Sequence, residues 1–355
     1  MAVLSPPIEP MLATLTTSIP RGDFLYEPKW DGFRALAFVS KGEVYLQSRD
    51  QKPLARYFPE LLPALAALPD AVIDGEIVIR GEKGLDFEAL QLRLHPAASR
   101  VAKLSREIPA AFVAFDLLAL GEEDLRSLSQ SERRAHIERL FAHVRTPLRL
   151  TPVTRDMAVA EDWFRRFEGA GLDGVVAKRA IGPYLPGQRA MIKVKHERTA
   201  DCVVTGFRWH KNGPGTHVGS LILGLFDEAG DLHHVGVAAS FTMAKRKALA
   251  AELEPLREGA LDAHPWRRWV EIAGGAEPGG RIPGMQSRWT GTRDLSWEPL
   301  RLERVCEVRY DHMEGSRFRH ATHFLRWRPD KAPRDCTYAQ LEVVPPAELD
   351  LILGR

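Results

Sequence analysis

The chain is organised around residues 27–34, EPKWDGFR, which surround one lysine, Lys29, with acidic, aromatic, glycine and arginine neighbours. A lysine that attacks phosphorus must first lose a proton. Its unperturbed pKa lies near ~10.4, so burial or a nearby cation must lower that pKa. Asp31 can orient the amine or hold a metal, Gly32 lets a nucleotide approach the backbone, and Arg34 offers donors to phosphate or ribose oxygens. The same residues also suit an exposed lysine before an Asp-Gly turn.

Length and composition set the broad class of the protein. A chain of 355 residues can hold two or three domains, and contents of 45% hydrophobic and 27% charged residues are ordinary for a globular protein. The net charge of +2 is too small to diagnose a nucleic-acid partner, which would need local basic surfaces. Cys202, Cys306 and Cys336 lie far apart, so neither a disulfide framework nor a zinc site is expected. No apolar run approaches the ~20 residues of a membrane span.

Strand-like runs follow the lysine stretch. Residues 1–24 read as an irregular, proline-rich lead, and residues 35–39 and 44–48 predict a hairpin with a turn at Lys41-Gly42. Ser48-Arg49 closes the second strand, where an arginine can reach a phosphate or simply face solvent.

Charged residues interrupt two later strands. Residues 71–79 predict a buried strand broken by Asp74-Gly75-Glu76, and charge inside an apolar run is costly unless it is paired or used. A bulge or a hairpin turn at Asp74-Gly75 remains open. In residues 191–195 the alternation places Lys193 and Lys195 on one strand face, where they repel unless an anion lies between them.

The remaining elements of the first half are a strand at 110–120, a strand at 172–178 and four helices. The helices are predicted at residues 57–68, 86–95, 129–143 (capped by Ser129 or Ser131) and 160–170.

The sequence changes character near residues 196–201, which predicts domains at 1–198 and 199–355. The second half contains short apolar strands and one helix, at residues 202–209, 219–226, 232–239, 243–257 (helix), 302–311 and 321–328. Five short strands with an inserted helix predict a small Greek-key barrel of the OB-fold type. Residues 258–300 interleave arginine with tryptophan, so Arg288 and Arg293 are candidate contacts to a DNA strand, with a disordered or structural insert as the alternative.

Seven short motifs occur in order along residues 27–331: Lys-x-Asp-Gly, Ser-Arg, Asp-Gly-Glu, Phe-Asp, Asp-Gly-Val-Val-x-Lys, Lys-Val-Lys and Arg-x-Asp-Lys. This series resembles the nucleotidyltransferases that form a covalent lysyl-nucleotide. It is most similar to short bacterial ATP-dependent DNA ligases of the ligase C type. One departure is Asp173, which stands where the family pattern has glutamate.

The resemblance implies an α+β fold, with a nucleotidyltransferase (ATP-grasp-like adenylation) domain of antiparallel sheets followed by a β-barrel OB-fold domain. Lys29 would be the nucleophile. ATP and AMP would be bound by Glu27, Lys29, Arg34, Arg49, Glu76, Phe115, Lys193, Lys195, Arg328 and Lys331. Phe115, rather than Phe112, would stack on the purine. Metal ligands would be Asp31, Glu76 and Asp173, and DNA would meet Arg49, Arg288 and Arg293.

The implied cofactors are ATP and Mg²⁺ or Mn²⁺, and the implied substrate is nicked duplex DNA. The resemblance further implies a monomer in the bacterial cytosol, associated with the nucleoid, that works in DNA repair, with repair proteins as possible partners and no membrane. Three alternatives remain: an RNA ligase, a capping-type nucleotidyltransferase, and a non-catalytic DNA-binding protein of the same fold.

Overall fold

The computed structural model describes residues 3–81, 84–166, 172, 174–196, 198–267, 296–311 and 313–341. These residues form two compact units, the first ending at residue 196 and the second covering the described residues from 198 to 341. None of the described helices has both the length and the apolarity that crossing a membrane requires.

The first unit contains two sheets. Its strands are β1 (Leu12–Thr16), β2 (Phe24–Lys29), β3 (Phe33–Ser40), β4 (Glu43–Ser48), β5 (Ala71–Gly81), β6 (Gly84–Leu85), β7 (Ala110–Leu120), β8 (Glu123–Asp124), β9 (Leu148–Leu150), β10 (Gly174–Arg179) and β11 (Arg189–Lys195). One sheet has the order β1-β11-β10-β2, and the other has the order β4-β3-β5-β7-β8, with β6 paired to β5 and β9 to β7. Pairing is antiparallel except between β1 and β11 and between β7 and β9.

Helices cover one face of the larger sheet. They are α1 (Leu62–Ala66), α2 (Phe87–Leu92), α3 (Ala98–Glu107) and α4 (Gln130–Phe141), with 3-10 turns at Ala55–Tyr57 and Pro59–Leu61. A fifth helix, α5 (Met157–Arg166), packs on β2 and β10 of the smaller sheet. Because side chains alternate along a strand, Ala37 and Ile73 face this helical side and join a buried cluster with Ile137 of α4. Their neighbours Leu36 and Val72 face the other way, into a cluster that also holds Met191 of the smaller sheet.

The second unit is a closed barrel. Its elements are β12 (Arg198–His210), β13 (Gly213–Phe226), β14 (Leu232–Ala239), α6 (Met243–Leu253), β15 (Glu298–Pro299), β16 (Val305–Tyr310), β17 (Met313–Glu314), β18 (Arg317–Phe318) and β19 (Thr322–Trp327). The order β13-β14-β19-β16-β12 closes because β12 also pairs with β13, and β14–β19 is the parallel pair. With α6 inserted between β14 and the later strands, this confirms the predicted OB-type barrel and the α+β class.

Several predictions from the sequence hold, and others fail for identifiable reasons. The hairpin of β3 and β4 forms with Lys41 and Gly42 at positive φ, and Ser129 caps α4 by accepting from the Glu132 amide. The turn alternative at Asp74-Gly75 is wrong, since β5 runs through it as one strand. Neither β1 nor α3 is predicted from the sequence. β1 forms inside the proline-rich lead because β11 supplies its backbone partners.

Candidate active site

Strand pairing aligns the predicted lysines of the smaller sheet in one row. Gly174 of β10 pairs with Lys29 of β2 on one side and with Lys195 of β11 on the other. Two residues along the same strands, Glu27 and Lys193 are aligned in the same way through β10. Directly paired residues project from the same face, so all four charged side chains share one side of this sheet.

Gly174 lets this row form. Its φ of +141° is in a region that side-chain-bearing residues avoid, and a Cβ there would lie 2.0 Å from the Val194 carbonyl oxygen. Lys29 and Lys195 can therefore flank the strand only because glycine stands between them.

Positive charge gathers around the row. Burial lowers the pKa of Lys193, and the cations Lys195, Lys29 and Arg49 lower it further, in that order. Arg49 is exposed just after β4 and lies close enough to Lys193 to lower its pKa. Such a concentration of cations attracts a polyanion.

Two carboxylates border the same row. Gly32 lies so close to β5 that a Cβ would stand 2.2 Å from the Ile77 oxygen and 2.9 Å from Glu76 Cγ. Burial and, to a smaller extent, the nearby Asp31 carboxylate raise the pKa of Glu76 to about 8, although Lys29 partly opposes the rise. Asp31, Glu76 and Lys29 are thus close enough to influence one another electrostatically.

Arg34 contacts protein groups, where a phosphate or ribose ligand was expected. Its Nε and Nη2 donate to the two carboxylate oxygens of Asp74 at 3.0 and 2.5 Å, and its Nη1 donates to the Met11 carbonyl at 2.6 Å. Tyr184 also donates to Asp74, at 2.7 Å. These bonds indicate that Arg34 supports the walls of the site.

Phe115 leaves the regular ladder at a bulge. Asp74 pairs with Asp116 while Gly75 pairs with Ala114, so Phe115 is an extra residue on β7. Asp116 anchors the bulge by accepting from Arg133 Nε and Nη2 at 2.8 and 3.1 Å. Phe115 remains half-buried, whereas Phe112 is fully buried in the core. The partial exposure of Phe115 allows contact with a ligand, whereas Phe112 is enclosed in the core.

A lysine to which the sequence analysis assigned no role lies beside this ring. Lys178 of β10 donates to both carboxylate oxygens of Glu27, at 3.0 and 2.9 Å, and to the Phe115 carbonyl at 3.0 Å. Its Nζ also lies 4.7 Å from the centre of the Phe115 ring. The available signal was a lysine inside the apolar run Gly-Val-Val-Ala-Lys, since such a charge must be paired.

The predicted metal ligands are only partly described. Asp31 and Glu76 lie together, whereas Asp173 lies outside the described residues. Within the described part of the chain, no group of three or more His, Cys, Asp or Glu side chains is arranged to hold a metal ion. Two carboxylates beside a phosphate-attracting row nevertheless fit Mg²⁺, which keeps several waters and phosphate oxygens as ligands.

The second unit carries its own charged cluster. Arg328 Nη1 donates to both oxygens of Asp201 at 2.9 Å, and Lys331 Nζ donates to Asp201 Oδ2 at 2.9 Å. Arg328 also bonds Asp330, and this hydrogen bond lowers the pKa of Asp330 to about 2. The tentative DNA contacts Arg288 and Arg293 lie outside the described residues.

Two family models match this chain. The ATP dependent DNA ligase domain matches residues 10–195, and the ATP dependent DNA ligase C terminal region matches residues 214–331. The chain belongs to the ATP-dependent DNA ligases. The resemblance carried by the ordered motifs is thereby confirmed.

Individual proteins similar to this chain are also named as ligases or contain ligase domains. DNA ligase C2 of Mycolicibacterium smegmatis is 55% identical to this ligase over 342 residues, which are 96% of either chain. A multifunctional non-homologous end joining protein LigD from Pseudomonas aeruginosa is 33% identical over 343 residues, 93% of this chain and 36% of that protein. A solved structure from a study of Lig E DNA ligases covers 90% of this chain and 99% of its own, with a TM-score of 0.52 and 19% identity, and shares the fold.

Within this ligase, the first unit brings together most of the residues predicted to bind nucleotide. The described members of that group are Glu27, Lys29, Arg34, Arg49, Glu76, Phe115, Lys193 and Lys195. Arg328 and Lys331 lie together in the second unit.

Proposed function

We propose that this ligase seals nicks in duplex DNA with ATP, by way of AMP carried covalently on Lys29. The observation that carries the proposal is the row of strand residues in which Gly174 pairs with both Lys29 and Lys195. Lys29 and Arg49 also lie near enough to Lys193 for their positive charges to lower its pKa. This places the proposed nucleophile among cations that can receive the phosphates of ATP. The catalytic units are a nucleotidyltransferase domain, 1–198, and an OB-fold domain, 199–355.

The reaction divides into three phosphoryl transfers. The Lys29 amine attacks the α-phosphorus of ATP, pyrophosphate leaves, and a phosphoramidate to AMP remains on the lysine. AMP then moves to the 5′-phosphate at the nick. The 3′-hydroxyl attacks that phosphate, a phosphodiester forms and AMP leaves. The protein contributes alignment and charge neutralisation at each transfer.

Different side chains bind the purine, the ribose and the phosphates of ATP. The purine stacks on Phe115, and Glu76 binds the ribose. Lys193 and Lys195 neutralise the α-phosphate, and Arg328 and Lys331 receive the pyrophosphate. Support for this division comes from the bulge that presents the Phe115 ring and from the shared face of the two lysines.

Further side chains support these contacts. Glu27 lies next to the proposed purine position, because its partner Lys178 also lies over the Phe115 ring. Arg34 of β3 is bound to Asp74 of β5 and so stabilises the pairing of these strands. Arg49 contacts the ribose or the 5′-phosphate of the nick, and Arg288 and Arg293 contact the DNA strand.

A divalent cation, Mg²⁺ or Mn²⁺, is held by Asp31, Glu76 and Asp173. When bound, it offsets phosphate charge during the transfers. Glu76 supports this assignment because burial and the neighbouring Asp31 carboxylate raise its pKa, and a bound cation would compensate its negative charge.

The cellular setting follows from the substrate. A nick-sealing enzyme serves DNA repair, and the LigD relative is named for non-homologous end joining. We place this ligase as a monomer in the bacterial cytosol, at the nucleoid, where it meets DNA and repair proteins.

The proposal is tested by nick sealing. A duplex with one 5′-phosphorylated nick is incubated with Mg²⁺ and ATP, GTP or NAD, using the native chain, Lys29→Ala, and Lys103→Ala as an exposed-lysine control. We expect sealing with ATP by the native and control proteins, and a loss of at least about a thousandfold in Lys29→Ala because the nucleophile is missing. Undiminished sealing by Lys29→Ala, or sealing only with GTP or NAD, would overturn it.

A further inference from the structure

One carboxylate in the barrel binds both cations of the Arg-x-Asp-Lys motif. Asp201 of β12 accepts from Arg328 and from Lys331, which lie 127 and 130 residues further along the chain. Its side chain is 12% exposed, against 20% for Arg328 and 24% for Lys331. The carboxylate is therefore the most buried member of the cluster and forms its base.

The backbone of Asp201 is held by contacts other than its ion pairs. The Asp201 amide donates to Gln340 Oε1 at 2.7 Å, and its carbonyl accepts from Gln340 Nε2 at 3.1 Å. A carboxylate carried on a backbone held in this way can orient flexible partners. Lysine and arginine side chains lose much rotamer freedom when a ligand orders them. Side chains that Asp201 already orders lose less freedom when the ligand arrives.

Neighbouring acids show what is particular about Asp201. Glu307 of β16 is directly opposite Asp201 in the ladder, but its carboxylate accepts from Arg326, at 2.6 Å. Asp330 bonds Arg328, yet it is 60% exposed and sits on the same short segment as its partner. Asp201 joins Arg328 to Lys331, so it is the acid that sets these two cations side by side.

We propose that Asp201 is a positioning residue for transfer of AMP from ATP to the enzyme. It preorganises the Arg328 guanidinium and the Lys331 ammonium, which receive the departing pyrophosphate. This rests on the proposed function, which assigns the two cations to pyrophosphate. Asp201 itself touches neither nucleotide nor DNA. Its effect is confined to the step that releases pyrophosphate, because the later transfers release none.

The test separates the first step from the last in the full chain. Single-turnover formation of the lysine adduct is measured with saturating ATP. The last step is measured alone, with nicked DNA that already carries AMP on its 5′-phosphate. For Asp201→Asn, which keeps the shape but removes the charge, we expect about a tenfold or greater loss in adduct formation and a change within about twofold in the last step.

The matched control is Glu307→Gln, which removes the adjacent acid of the same ladder, whose carboxylate accepts a hydrogen bond from Arg326. We expect both of its rates to stay within about twofold of the native values. Adduct formation by Asp201→Asn at the control rate would overturn the inference, and so would an equal loss in both steps, which would mean a general structural defect.

A double variant shows whether Asp201 acts through its lysine. In a Lys331→Gln background the additional loss caused by Asp201→Asn shrinks, because one of the two positioned cations is already gone. Losses that simply multiply would overturn the inference. Failure of the proposed function looks different, because the native chain would then form no adduct with ATP.

Discussion

The ion pairs of the two units differ in how far water can reach them. In the first unit, Lys178 and Glu27 are each 3% exposed, whereas in the second unit the cluster of Asp201, Arg328 and Lys331 remains partly open to solvent. A buried ion pair is locked, in the sense that separating its members would leave an unpaired charge away from water. A partly exposed pair gains little from its own attraction. The first unit thus holds a closed ion pair, and the second holds two cations that rest on Asp201 and still face solvent, where a phosphate can reach them.

The largest expected effect breaks the locked pair. Lys178→Met leaves the Glu27 carboxylate buried without its cation, and we expect the free energy of unfolding to fall by about 3–5 kcal/mol. Burial already raises the pKa of Glu27, and Lys178 is the main group opposing that rise. Urea unfolding at pH 7 without nucleotide measures the change.

The matched control for this variant is Lys103→Met. Lys103 is 67% exposed and pairs with Glu107 on the surface of α3, so its loss should leave the free energy of unfolding almost unchanged. Equal effects of the two substitutions would contradict the distinction between locked and open pairs.

A second prediction concerns a buried base of the second unit that has cations, not acids, for neighbours. Burial, together with the nearby cations Arg317 and Arg208, lowers the pKa of His234 to about 3. Its Nδ1 accepts from Arg317 Nη2 at 2.9 Å, so the ring is neutral in the fold. Between about pH 6.5 and pH 3 this histidine is protonated in the unfolded chain but neutral in the folded protein. Stability from this group is therefore lost as pH falls through that window.

Between pH 7 and pH 5 this histidine should remove about 2 kcal/mol from the free energy of unfolding of the native chain. His234→Asn keeps an acceptor for Arg317 but cannot titrate, so its stability should depend less on pH by that amount. The exposed neighbour His233, changed to Asn, is the control and should keep most of the native slope. Urea unfolding at the two pH values decides between them, and identical slopes in the native chain and His234→Asn would refute the prediction.

The smallest expected effect concerns two phenylalanines of the first unit, one half-buried and one in the core. Phe115→Leu removes a half-buried ring from the proposed purine position, and we expect ATP affinity to fall about fivefold, or about 1 kcal/mol, with little change in stability. Phe112→Leu should do the reverse, because Phe112 is fully buried in the core and its loss leaves a cavity. Equilibrium ATP binding and thermal unfolding of both variants measure the two effects. Weaker ATP binding in Phe112→Leu alone would assign the stacking role to Phe112.

Elements with a strong local pattern could be predicted from the sequence. The barrel strand at 232–239 has those bounds in the structure, and α4 begins at the predicted serine cap, because alternation and capping are local properties. β1 could not be predicted, since its residues become a strand only beside β11. The helix expected at 57–68 is reduced to two 3-10 turns and the short α1, where Pro59 and Pro63 restrict the chain.

The candidate site divides in the same way. Lys29, Lys193 and Lys195 could be singled out because their motifs are short and ordered along the chain. Arg34 could not be assigned its Asp74 partner from sequence, and Lys178 could not be linked to Glu27, 151 residues away. An isolated motif records which chemical groups are present but not which distant group neutralises them.

The sequence by itself determined the order of the motifs, and the resemblance carried by that order indicated the family and the candidate nucleophile. Local periodicity predicted the strands of the barrel. The tertiary structure decided the partners: Asp74 for Arg34, Glu27 for Lys178, and Asp201 for both Arg328 and Lys331. It also decided which phenylalanine leaves the core, through a bulge visible only when β7 is paired with β5. Charge pairing and strand register depend on distances between segments remote in sequence, and the closing of the sheets sets those distances.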